Sequence, residues 1–275
     1  MRESEIVAMG ERERSYWWHV CRRLVWRSIL DKWLPADHNY VEPSVIASNS
    51  EAISADQIAT GYRPRNDNLW DRMTERGQIL DIGCGTGFNL SFLKNWGEVM
   101  GIDQSEVAIS SAQLYGVAKQ GDVLRLPVPD LTIDLATAFD VLEHVADDEA
   151  ALLEWARVIK IGGYLAISVP AYQWLFGPHD RALSHQRRYN IAELSTKLTR
   201  AGLKPVFASY VFMFTFPVFI AQRLFAKTLG RDAGYNPAPG TVNQLLIWLG
   251  QLEAVLVKWI SLPFGSSVFI LSKKI

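Results

Sequence analysis

The stretch ILDIGCGTGFNL, residues 79–90, joins a hydrophobic run to a helical pattern through a glycine-rich turn. Gly83, Gly85 and Gly87 occupy every second position of that turn. Glycine is favoured where the backbone must become left-handed or must approach a ligand closely. A turn of this kind between a strand and a helix is typical of nucleotide-binding α/β sheets. The stretch therefore predicts the first strand, turn and helix of such a sheet.

The following sequence alternates between short β-rich runs and helical patterns. The runs are QILDI, EVMGID, DLATAF and YLAISV, at residues 78–82, 98–103, 134–139 and 164–169. Helical patterns at 105–115 and 147–159 lie between them. Strands that alternate with helices predict a parallel sheet whose ligands bind at the carboxyl ends of the strands. The fold class is therefore α/β, a doubly wound Rossmann-like sheet.

Composition narrows the classes of protein further. The chain has 275 residues, of which 49% are hydrophobic, and this is enough for one large domain with an appendage. A formal net charge of −1 gives no reason to expect a nucleic-acid partner. Cys21 and Cys84 are the only cysteines, so neither a disulfide framework nor a cysteine metal site is expected. The first fifteen residues are charged and resemble no signal peptide, which favours a cytoplasmic location.

The residues around the turn favour some ligands over others. A dinucleotide fingerprint needs a small residue where this chain has Phe88, and the Lys-Ser/Thr pair of a P-loop is missing. Asp81 brings a carboxylate into the turn. We therefore expect a cationic ligand without a pyrophosphate.

The turn LDIGCGTG resembles the first motif of the class I S-adenosylmethionine (SAM)-dependent methyltransferases. The resemblance covers roughly residues 78–202 and implies a seven-stranded, mostly parallel sheet whose last strand is antiparallel. It implies that Asp103 accepts hydrogen bonds from both ribose hydroxyls of SAM. The segment GDVLRLP, residues 121–127, looks like the third strand and would place Asp122 and Val123 at the adenine. The implied SAM-binding residues are Asp81, Gly83, Cys84, Gly85, Gly87, Asp103, Gln104, Asp122, Val123 and Phe139. A nicotinamide-dependent reductase and an unliganded flavodoxin-like turn are the alternatives.

A polar motif follows the fourth predicted strand. Asp140, Glu143 and His144 stand at i, i+3 and i+4, so a helical turn would place all three on one face. Two carboxylates and an imidazole can form a base cluster or hold a hard metal ion. The motif resembles the ubiquinone-pathway catechol O-methyltransferases, which hold a divalent cation there, and also relatives in which the histidine forms the rim of the active site. We expect His144 at the active site, and a cation on these three residues is the less favoured alternative.

The loop after the fifth predicted strand, residues 169–190, is rich in polar side chains. A pair formed by His179 and Asp180 could deprotonate a hydroxyl, and paired arginines could clamp a phosphate or carboxylate. We therefore expect His179 and Asp180 to be catalytic. The residues expected to contact the substrate in this loop are His185, Arg187, Arg188 and Tyr189. The motif resembles a bacterial methyltransferase subgroup associated with surface-glycan and lipid pathways, and a solvated loop is the alternative.

Residues 11–34 form an amphipathic helical pattern. Trp17, Val20, Cys21 and Leu24 share one face, and six Arg and Lys side chains make the other side basic. Such a helix can cover the cofactor site, with Trp17 and Trp18 against the substrate, or it can lie in a membrane interface. The lid is the favoured interpretation.

The C-terminal part is strongly apolar. Residues 205–222 carry no formal charge, but Pro217 interrupts the run, so a spanning helix is disfavoured. The resemblance divides this region into a sixth strand, an apolar helical insertion that ends in a long helix at 242–260, and a last strand at 266–274. The insertion could be a substrate lid, a homodimer interface or a foot on the inner face of the membrane.

These patterns divide the chain into five parts. They are an N-terminal helix at 1–35, a linker at 36–77, a methyltransferase core at 78–212, a helical insertion at 213–264 and the last strand at 265–275. Residues 45–68 lack apolar periodicity and resemble a translated palindromic repeat, with an ordinary long linker as the alternative.

The expected function is SAM-dependent O-methylation of a hydrophobic, lipid-linked or glycan-linked small acceptor. C-methylation of a quinone-like acceptor is one alternative, and a SAM-fold assembly subunit without turnover is another. A nucleic-acid methyltransferase is disfavoured because the chain lacks both a basic face and the N-P-P-Y type of motif.

Overall fold

The computed structural model describes residues 16–34, 77–217, 219–221 and 240–275. The proposed linker insertion at 45–68 and part of the predicted helical insertion at 213–264, residues 222–239, lie outside the described residues. The start of the amphipathic pattern at residues 11–15 also lies outside them.

The described chain alternates between strands and helices. The strands are β1 Gln78–Ile82, β2 Glu98–Asp103, β3 Val117–Gln120, β4 Ile133–Phe139, β5 Ile159–Pro170, β6 Leu203–Val211 and β7 Ser267–Lys274. The α-helices are α1 Trp17–Trp33, α2 Phe88–Leu93, α3 Glu106–Ala112, α4 Asp148–Val158, α5 Pro178–Ala182, α6 Ile191–Arg200 and α7 Gly240–Leu256. Two short 3₁₀ turns lie at Leu142–His144 and Gln173–Leu175.

The seven strands form one sheet in the order β3-β2-β1-β4-β5-β7-β6. Neighbouring strands from β3 to β5 pair in parallel, and β7 pairs antiparallel with both β5 and β6. This topology confirms the predicted fold class. It also places the carboxyl ends of β1, β2, β4, β5 and β6 at one edge of the sheet, where a ligand is expected.

Alternating residues of the central strands pack against opposite layers of helices. Leu80, Ala136 and Ile167 contribute to a core that contains α4 and α6. Ile79 and Leu135 contribute to the other core, which contains α1, α2, α3 and α7. Burial on both faces explains why these strands are continuous hydrophobic runs in the sequence.

Most predicted strands agree with the structure, but the third one does not. The runs at 78–82 and 98–103 coincide with β1 and β2. The third strand is Val117–Gln120, and the segment GDVLRLP follows it as a loop. The strand-like structure of that loop is limited to one isolated backbone bridge between Asp122 and Arg125. The prediction of a strand at 121–127 was therefore wrong, because these residues leave the sheet at its carboxyl edge.

The buried face of α1 also differs from the predicted one. Its buried residues are Cys21, Val25, Trp26, Ile29 and Leu30. Trp17, Val20 and Leu24 are only half-buried, so Cys21 alone belongs to both faces. The burial of Val25, Trp26 and Ile29 follows from the packing of the C-terminal half of α1 on the sheet, which local periodicity does not reveal.

The long apolar helix α7 packs along α1. Cys21 donates from Sγ to the Leu246 carbonyl at 3.5 Å, and the Trp17 amide donates to Asn243 Oδ1 at 2.8 Å. The opposite side of α7 exposes large apolar side chains, with Trp248 at 58% and Val255 at 56% exposure. Within the described ranges, no helix combines the length and the apolar character that a bilayer crossing requires.

Candidate active site

The glycine-rich turn leaves the sheet between β1 and α2. Both the Gly83 and the Cys84 amides donate to the Ile102 carbonyl, at 2.7 and 3.0 Å, which fixes the turn against the end of β2. Gly85 has a φ of +54°, and a Cβ atom there would meet no other atom within 4 Å. Gly87 also has a positive φ, and a Cβ atom there would collide with Ala112 of α3. The turn is therefore packed tightly at Gly87 and open at Gly85.

Asp81 of β1 lies buried beneath this turn. Its Oδ1 accepts a 2.6 Å hydrogen bond from the Thr137 hydroxyl, whereas Oδ2 has no hydrogen-bond partner among the described residues. Burial, with a smaller contribution from nearby Asp103, raises the pKa of Asp81 to about 7 against the opposing effect of the Thr137 hydrogen bond. A buried carboxylate oxygen without a partner is costly unless a ligand supplies a donor or a positive charge.

Asp103 ends β2 at the same edge of the sheet. Its two carboxylate oxygens accept from the amides of Gly85 and Ser105, each at 2.9 Å. These bonds orient the carboxylate beside the open side of the turn. The predicted cofactor residues Asp81, Gly85 and Asp103 therefore lie together.

The other predicted cofactor residues have different environments. Cys84 is buried, and its sulfur lies where a side chain of Gly101 would be, so it faces β2. Asp122 and Gln104 are exposed, and Val123 is half-buried with its carbonyl accepting from Trp155 Nε1 at 2.9 Å. Gln104 follows β2, and Asp122 and Val123 follow β3, so all three lie at the carboxyl edge beside Asp103.

Helix α1 covers the ends of β1 and β4. Trp26 stacks on Phe139 with ring centroids 3.9 Å apart and an angle of 15° between the rings. Arg22 forms an ion pair with Asp140, and the Arg23 guanidinium lies 4.3 Å from the centre of the Phe88 ring. These contacts hold α1 against the end of β4 and the start of α2, and its role as a lid stays a prediction. The roles of Arg22 and Trp26 could not be predicted from the sequence beyond the basic and aromatic composition of the helix.

The motif after β4 adopts a geometry that the spacing did not predict. Asp140 has a φ of +57° and pairs with Arg22, and the 3₁₀ turn Leu142–His144 replaces the expected helical turn. Glu143 is 1% exposed, and neither of its carboxylate oxygens accepts a hydrogen bond from another described residue. The expected placement of Asp140 on one face with Glu143 and His144 was wrong, because the positive φ directs Asp140 toward α1.

His185 takes the place expected for Asp140. One donor atom from each of Glu143, His144 and His185 lies within 4.8 Å of the other two, and the two imidazole rings are 4.7 Å apart. We call these three residues the Glu–His–His cluster. Burial raises the pKa of Glu143 well above its usual value, and Asp140 adds to the rise. Partial burial lowers the pKa of His144, and His185 adds to that effect.

Asp180 and Arg188 form a buried ion pair behind His185. Asp180 Oδ1 accepts from Arg188 Nη2 at 2.7 Å and contacts His185 Nδ1 at 3.1 Å, and Oδ2 accepts from the Gly177 amide at 2.9 Å. Burial alone would raise the pKa of Asp180, but the bonds from His185 and Arg188 outweigh it and hold the pKa well below its usual range. The pair observed is thus Asp180 with His185, while the predicted base partner His179 lies half-buried in α5.

The remaining polar residues of this loop also have partners within the chain. Arg187 pairs with Asp148 at 3.0 Å and donates to the Ala146 carbonyl. Tyr189 is fully buried and donates to Asp148 at 2.8 Å. Arg188, at 4% exposure, also donates to the Ala171 carbonyl. These contacts connect the loop to α4 and β5, and they are internal to the fold.

Aromatic side chains line the carboxyl ends of β5 and β6. Tyr172 stacks on Tyr210 with centroids 5.0 Å apart, and Phe216 lies 5.5 Å from Tyr172 and 6.0 Å from Phe264. We call these four residues the aromatic cluster. Trp18 of α1 approaches it through Phe212, at 4.5 Å. Sequence reasoning missed this cluster, because its members come from three segments that only the sheet brings together.

The donors and acceptors at the turn fit SAM. The orphaned oxygen of Asp81 suits a cationic amino group, Asp103 presents oxygens to a diol, and the open side of Gly85 allows a ligand to approach the backbone. A pyrophosphate would meet two carboxylates here instead of the amide donors and positive charge that it needs.

Comparison with known proteins supports this assignment. A sequence profile of the methyltransferase domain family matches residues 80–167. A probable SAM-dependent methyltransferase of Mycolicibacterium smegmatis is 28% identical over 149 residues, which are 51% of this chain and 58% of that protein. The 2-phytyl-1,4-naphtoquinone methyltransferase of Synechococcus elongatus is 34% identical over 45% of this chain and 65% of its own length. The chain thus spans less than two thirds of the length of these relatives.

A solved structure shows the same fold. The putative sarcosine dimethylglycine methyltransferase of Galdieria sulphuraria superimposes with a TM-score of 0.50 and 15% identity, over 75% of this chain and 81% of that one. The family match over residues 80–167, the sheet order and the glycine-rich turn all agree with a class I SAM-dependent methyltransferase domain in this part of the chain.

Proposed function

We propose that this protein transfers a methyl group from SAM to a hydroxyl oxygen of an apolar or lipid-tailed acceptor. The observation that carries the cofactor part is the buried Oδ2 of Asp81, which lies under an open glycine turn without a hydrogen-bond partner among the described residues. The acceptor part rests on the aromatic cluster and on the exposed face of α7.

Bound SAM supplies an electrophilic methyl group that passes to a nucleophile by in-line displacement. The chain's own contribution is then to position the acceptor, exclude water and receive a proton. Trp26 and Phe139 close the end of β4 with a stacked apolar pair, which excludes water from that edge. Arg22, through Asp140, holds α1 in this closed position.

The aromatic cluster offers an acceptor site at the ends of β5 and β6. Tyr172 is held there with a φ of +63°, a conformation that packing must impose on a residue other than glycine. Stacked aromatic rings favour a planar or apolar acceptor. The quinone acceptor in the name of the Synechococcus relative is of this chemical kind.

The exposed face of α7 supports a lipid-tailed acceptor. Five of its large apolar side chains are at least 39% exposed, namely Val242, Leu245, Trp248, Leu252 and Val255. The only formal charge within the helix is Glu253, which is buried and accepts from the Phe212 amide. An uncharged apolar face of this length suits the interface of a bilayer or the tail of a lipid. We infer that the acceptor reaches the site from a membrane surface.

Proton removal is assigned to the Glu–His–His cluster, in which Glu143 and His144 follow β4 and His185 lies in the loop after β5. The lowered pKa of His144 leaves its imidazole neutral at pH 7. Asp180, expected to be catalytic, and Arg187 and Arg188, expected to contact the substrate, form internal ion pairs, so we assign all three to positioning this loop. His179 stays a predicted catalytic residue, and Trp17 and Trp18 stay predicted substrate contacts.

The cofactor assignment can be tested by calorimetry. Wild-type protein should bind SAM, and Asp103→Ala should weaken binding by about 1.5–3 kcal/mol, the contribution of charge-assisted hydrogen bonds. A folded Asp103→Ala variant with unchanged affinity would contradict the assignment of this residue.

The acceptor class can be tested with SAM carrying a radioactive methyl group. The label should appear in the organic phase when the protein is incubated with a lipid extract, and it should be absent with an aqueous metabolite extract. Label confined to the aqueous phase would contradict a lipid-tailed acceptor. Heating the product with hydriodic acid releases the methyl group of a methyl ether as iodomethane and leaves a C-methyl group in place, so it distinguishes O-methylation from the C-methylation of a quinone-like ring. SAM binding without turnover on either extract would favour the assembly-subunit alternative.

Membrane contact can be measured by flotation on phosphatidylglycerol–phosphatidylethanolamine vesicles. The double variant Trp248→Ser/Val255→Ser should float less than wild type. Leu153→Ser/Ile161→Ser is the matched control, because both residues are equally exposed but lie outside α7. Equal flotation of the two variants would contradict the role of α7.

A further inference from the structure

The Glu–His–His cluster has the composition of a metal site. Two imidazoles and one carboxylate are a donor set that first-row divalent transition metals favour, whereas Mg²⁺ and Ca²⁺ favour all-oxygen sets. The three donor atoms lie within 4.8 Å of one another. Small side-chain movements would bring them to the ~2.0–2.2 Å metal–ligand distances of a zinc site.

Glu143 provides a second and independent observation. Its side chain is almost completely buried, and both carboxylate oxygens lack a hydrogen-bond donor among the other described residues. The positive charges of Arg22 and Arg188 act on it only through space. A buried carboxylate whose oxygens face two imidazoles is satisfied when a cation occupies the space between them.

Each of the two imidazoles is hydrogen-bonded to a second polar group, as is usual for metal-binding histidines. His185 Nδ1 lies 3.1 Å from Asp180 Oδ1, which leaves Nε2 for a ligand. The His144 imidazole is hydrogen-bonded to the backbone of Ser184. A carboxylate or carbonyl behind each imidazole selects the tautomer and raises the basicity of the ligating nitrogen.

The site is open on one side. Glu143 is buried and His185 is half-buried, but His144 is exposed at the surface of the loop. Three protein ligands with an open fourth position are typical of catalytic zinc sites, whereas structural sites are closed by four.

We propose that Glu143, His144 and His185 bind a first-row divalent transition-metal ion such as Zn²⁺, with Asp180 positioning His185. Asp140, which pairs with Arg22, is not part of this donor set. A cation here would bind an acceptor oxygen as its fourth ligand and lower the pKa of that hydroxyl. With the cation bound, His144 would be a ligand and the proton of the acceptor would leave to solvent, so the role of His144 as the base, proposed above, applies to the cluster without a cation. Only this catalytic role rests on the proposed function.

The metal site is tested on the full, tag-free chain in the absence of SAM and acceptor. After chelation and dialysis, Co²⁺ is titrated as a spectroscopic probe. One Co²⁺ should bind per chain with visible d–d absorption, and Zn²⁺ should displace it while Mg²⁺ does not. No stoichiometric binding, or displacement by Mg²⁺ at equal concentration, would overturn the proposal.

Substitution of single residues tests which side chains bind the metal ion. Glu143→Gln and His185→Ala should lose Co²⁺ binding, and Asp180→Asn should weaken it by about 10–100-fold. His179→Ala is the matched control from the same loop and should bind Co²⁺ like wild type. Loss in His179→Ala, or full retention in Glu143→Gln, would overturn the assignment.

A measurement on wild-type protein keeps the test independent of variant folding. Electron paramagnetic resonance of bound Cu²⁺ should show hyperfine coupling to two imidazole nitrogens, and coupling to none would reject the site. SAM affinity is measured separately by calorimetry. Loss of SAM binding with intact Co²⁺ binding would reject the proposed function and leave the metal site standing.

Discussion

Cys21 of α1 and Gly250 of α7 are in direct contact, although 229 positions separate them in the sequence (250 − 21). A Cβ atom on Gly250 would lie 2.8 Å from Cys21 Cβ and still closer to Sγ. The absence of a side chain at Gly250 is therefore what lets the two helices approach. Burial in this contact also raises the pKa of the Cys21 thiol to about 12, so Cys21 is an unreactive packing residue.

We predict that Gly250→Ala destabilises the protein. Glycine to alanine in a helix normally stabilises by about 0.5–1 kcal/mol, but here the new methyl group would force α1 and α7 apart, at about 1–3 kcal/mol. Gly240→Ala is the matched control, because a Cβ atom there meets nothing within 4 Å. Urea unfolding of both variants measures the difference, and an equal or higher midpoint for Gly250→Ala would contradict the packing described.

The open side of the glycine-rich turn can be tested with a second pair of glycines. Gly85 and Gly202 both have a positive φ, and a Cβ atom at either would meet no atom within 4 Å. Alanine at each position should therefore cost a similar ~1–2 kcal/mol of stability from backbone strain. Only Gly85→Ala should lose SAM affinity, because its methyl group would occupy ligand space. Calorimetry showing equal SAM affinity for the two variants would place the cofactor elsewhere.

The raised pKa of Asp81 predicts a pH dependence of SAM binding. The cationic amino group of SAM favours the ionised carboxylate, so affinity should fall by about tenfold per pH unit below pH 7. Asp81→Asn should bind SAM weakly and show a flat profile over that range. Asp103→Asn removes a charge that raises the pKa of Asp81, so its profile should move to lower pH. A wild-type affinity that is constant from pH 5 to 8 is inconsistent with this role.

The carboxyl group of Asp81 also affects the free energy of unfolding of the protein in the absence of SAM. The folded protein retains the Asp81 proton up to about pH 7, whereas the unfolded chain loses it near the ordinary value of 3.8. The folded state thus binds more protons in this interval, and the contribution of Asp81 to the free energy of unfolding falls as the pH rises through it. Asp81→Asn should remove this slope, as measured by urea unfolding at several pH values.

The ion pair between Arg22 and Asp140 predicts a kinetic effect. If α1 is a lid, Arg22→Ala should increase the rate of SAM dissociation, because the lid loses its contact with the end of β4. Arg27→Ala is the control, since its pair with Asp31 lies at the surface of the same helix, with an N–O distance of 3.9 Å. Stopped-flow measurement of dissociation distinguishes the variants, and identical rates would show that α1 is only a packing element.

Most of the residues assigned to the cofactor site could be predicted from the sequence. Asp81, the glycine turn and Asp103 lie within 22 positions of one another, and each lies in the last residues of a strand or directly after it. Parallel strands bring their carboxyl ends to one edge, so local pattern and topology together place these groups. Burial on both faces makes the strands continuous hydrophobic runs, which is why β1 and β2 agree with their predicted bounds.

The arrangement of the residues in the proposed acceptor site depends on the tertiary structure. The spacing of Asp140, Glu143 and His144 predicted a shared helical face, but packing against α1 gives Asp140 a positive φ and directs it to Arg22. His185 joins Glu143 and His144 only because the loop after β5 folds back on the end of β4. Local periodicity determines which residues can share a face of one element. Which elements meet depends on the burial of side chains far apart in the chain, and that is a property of the whole fold.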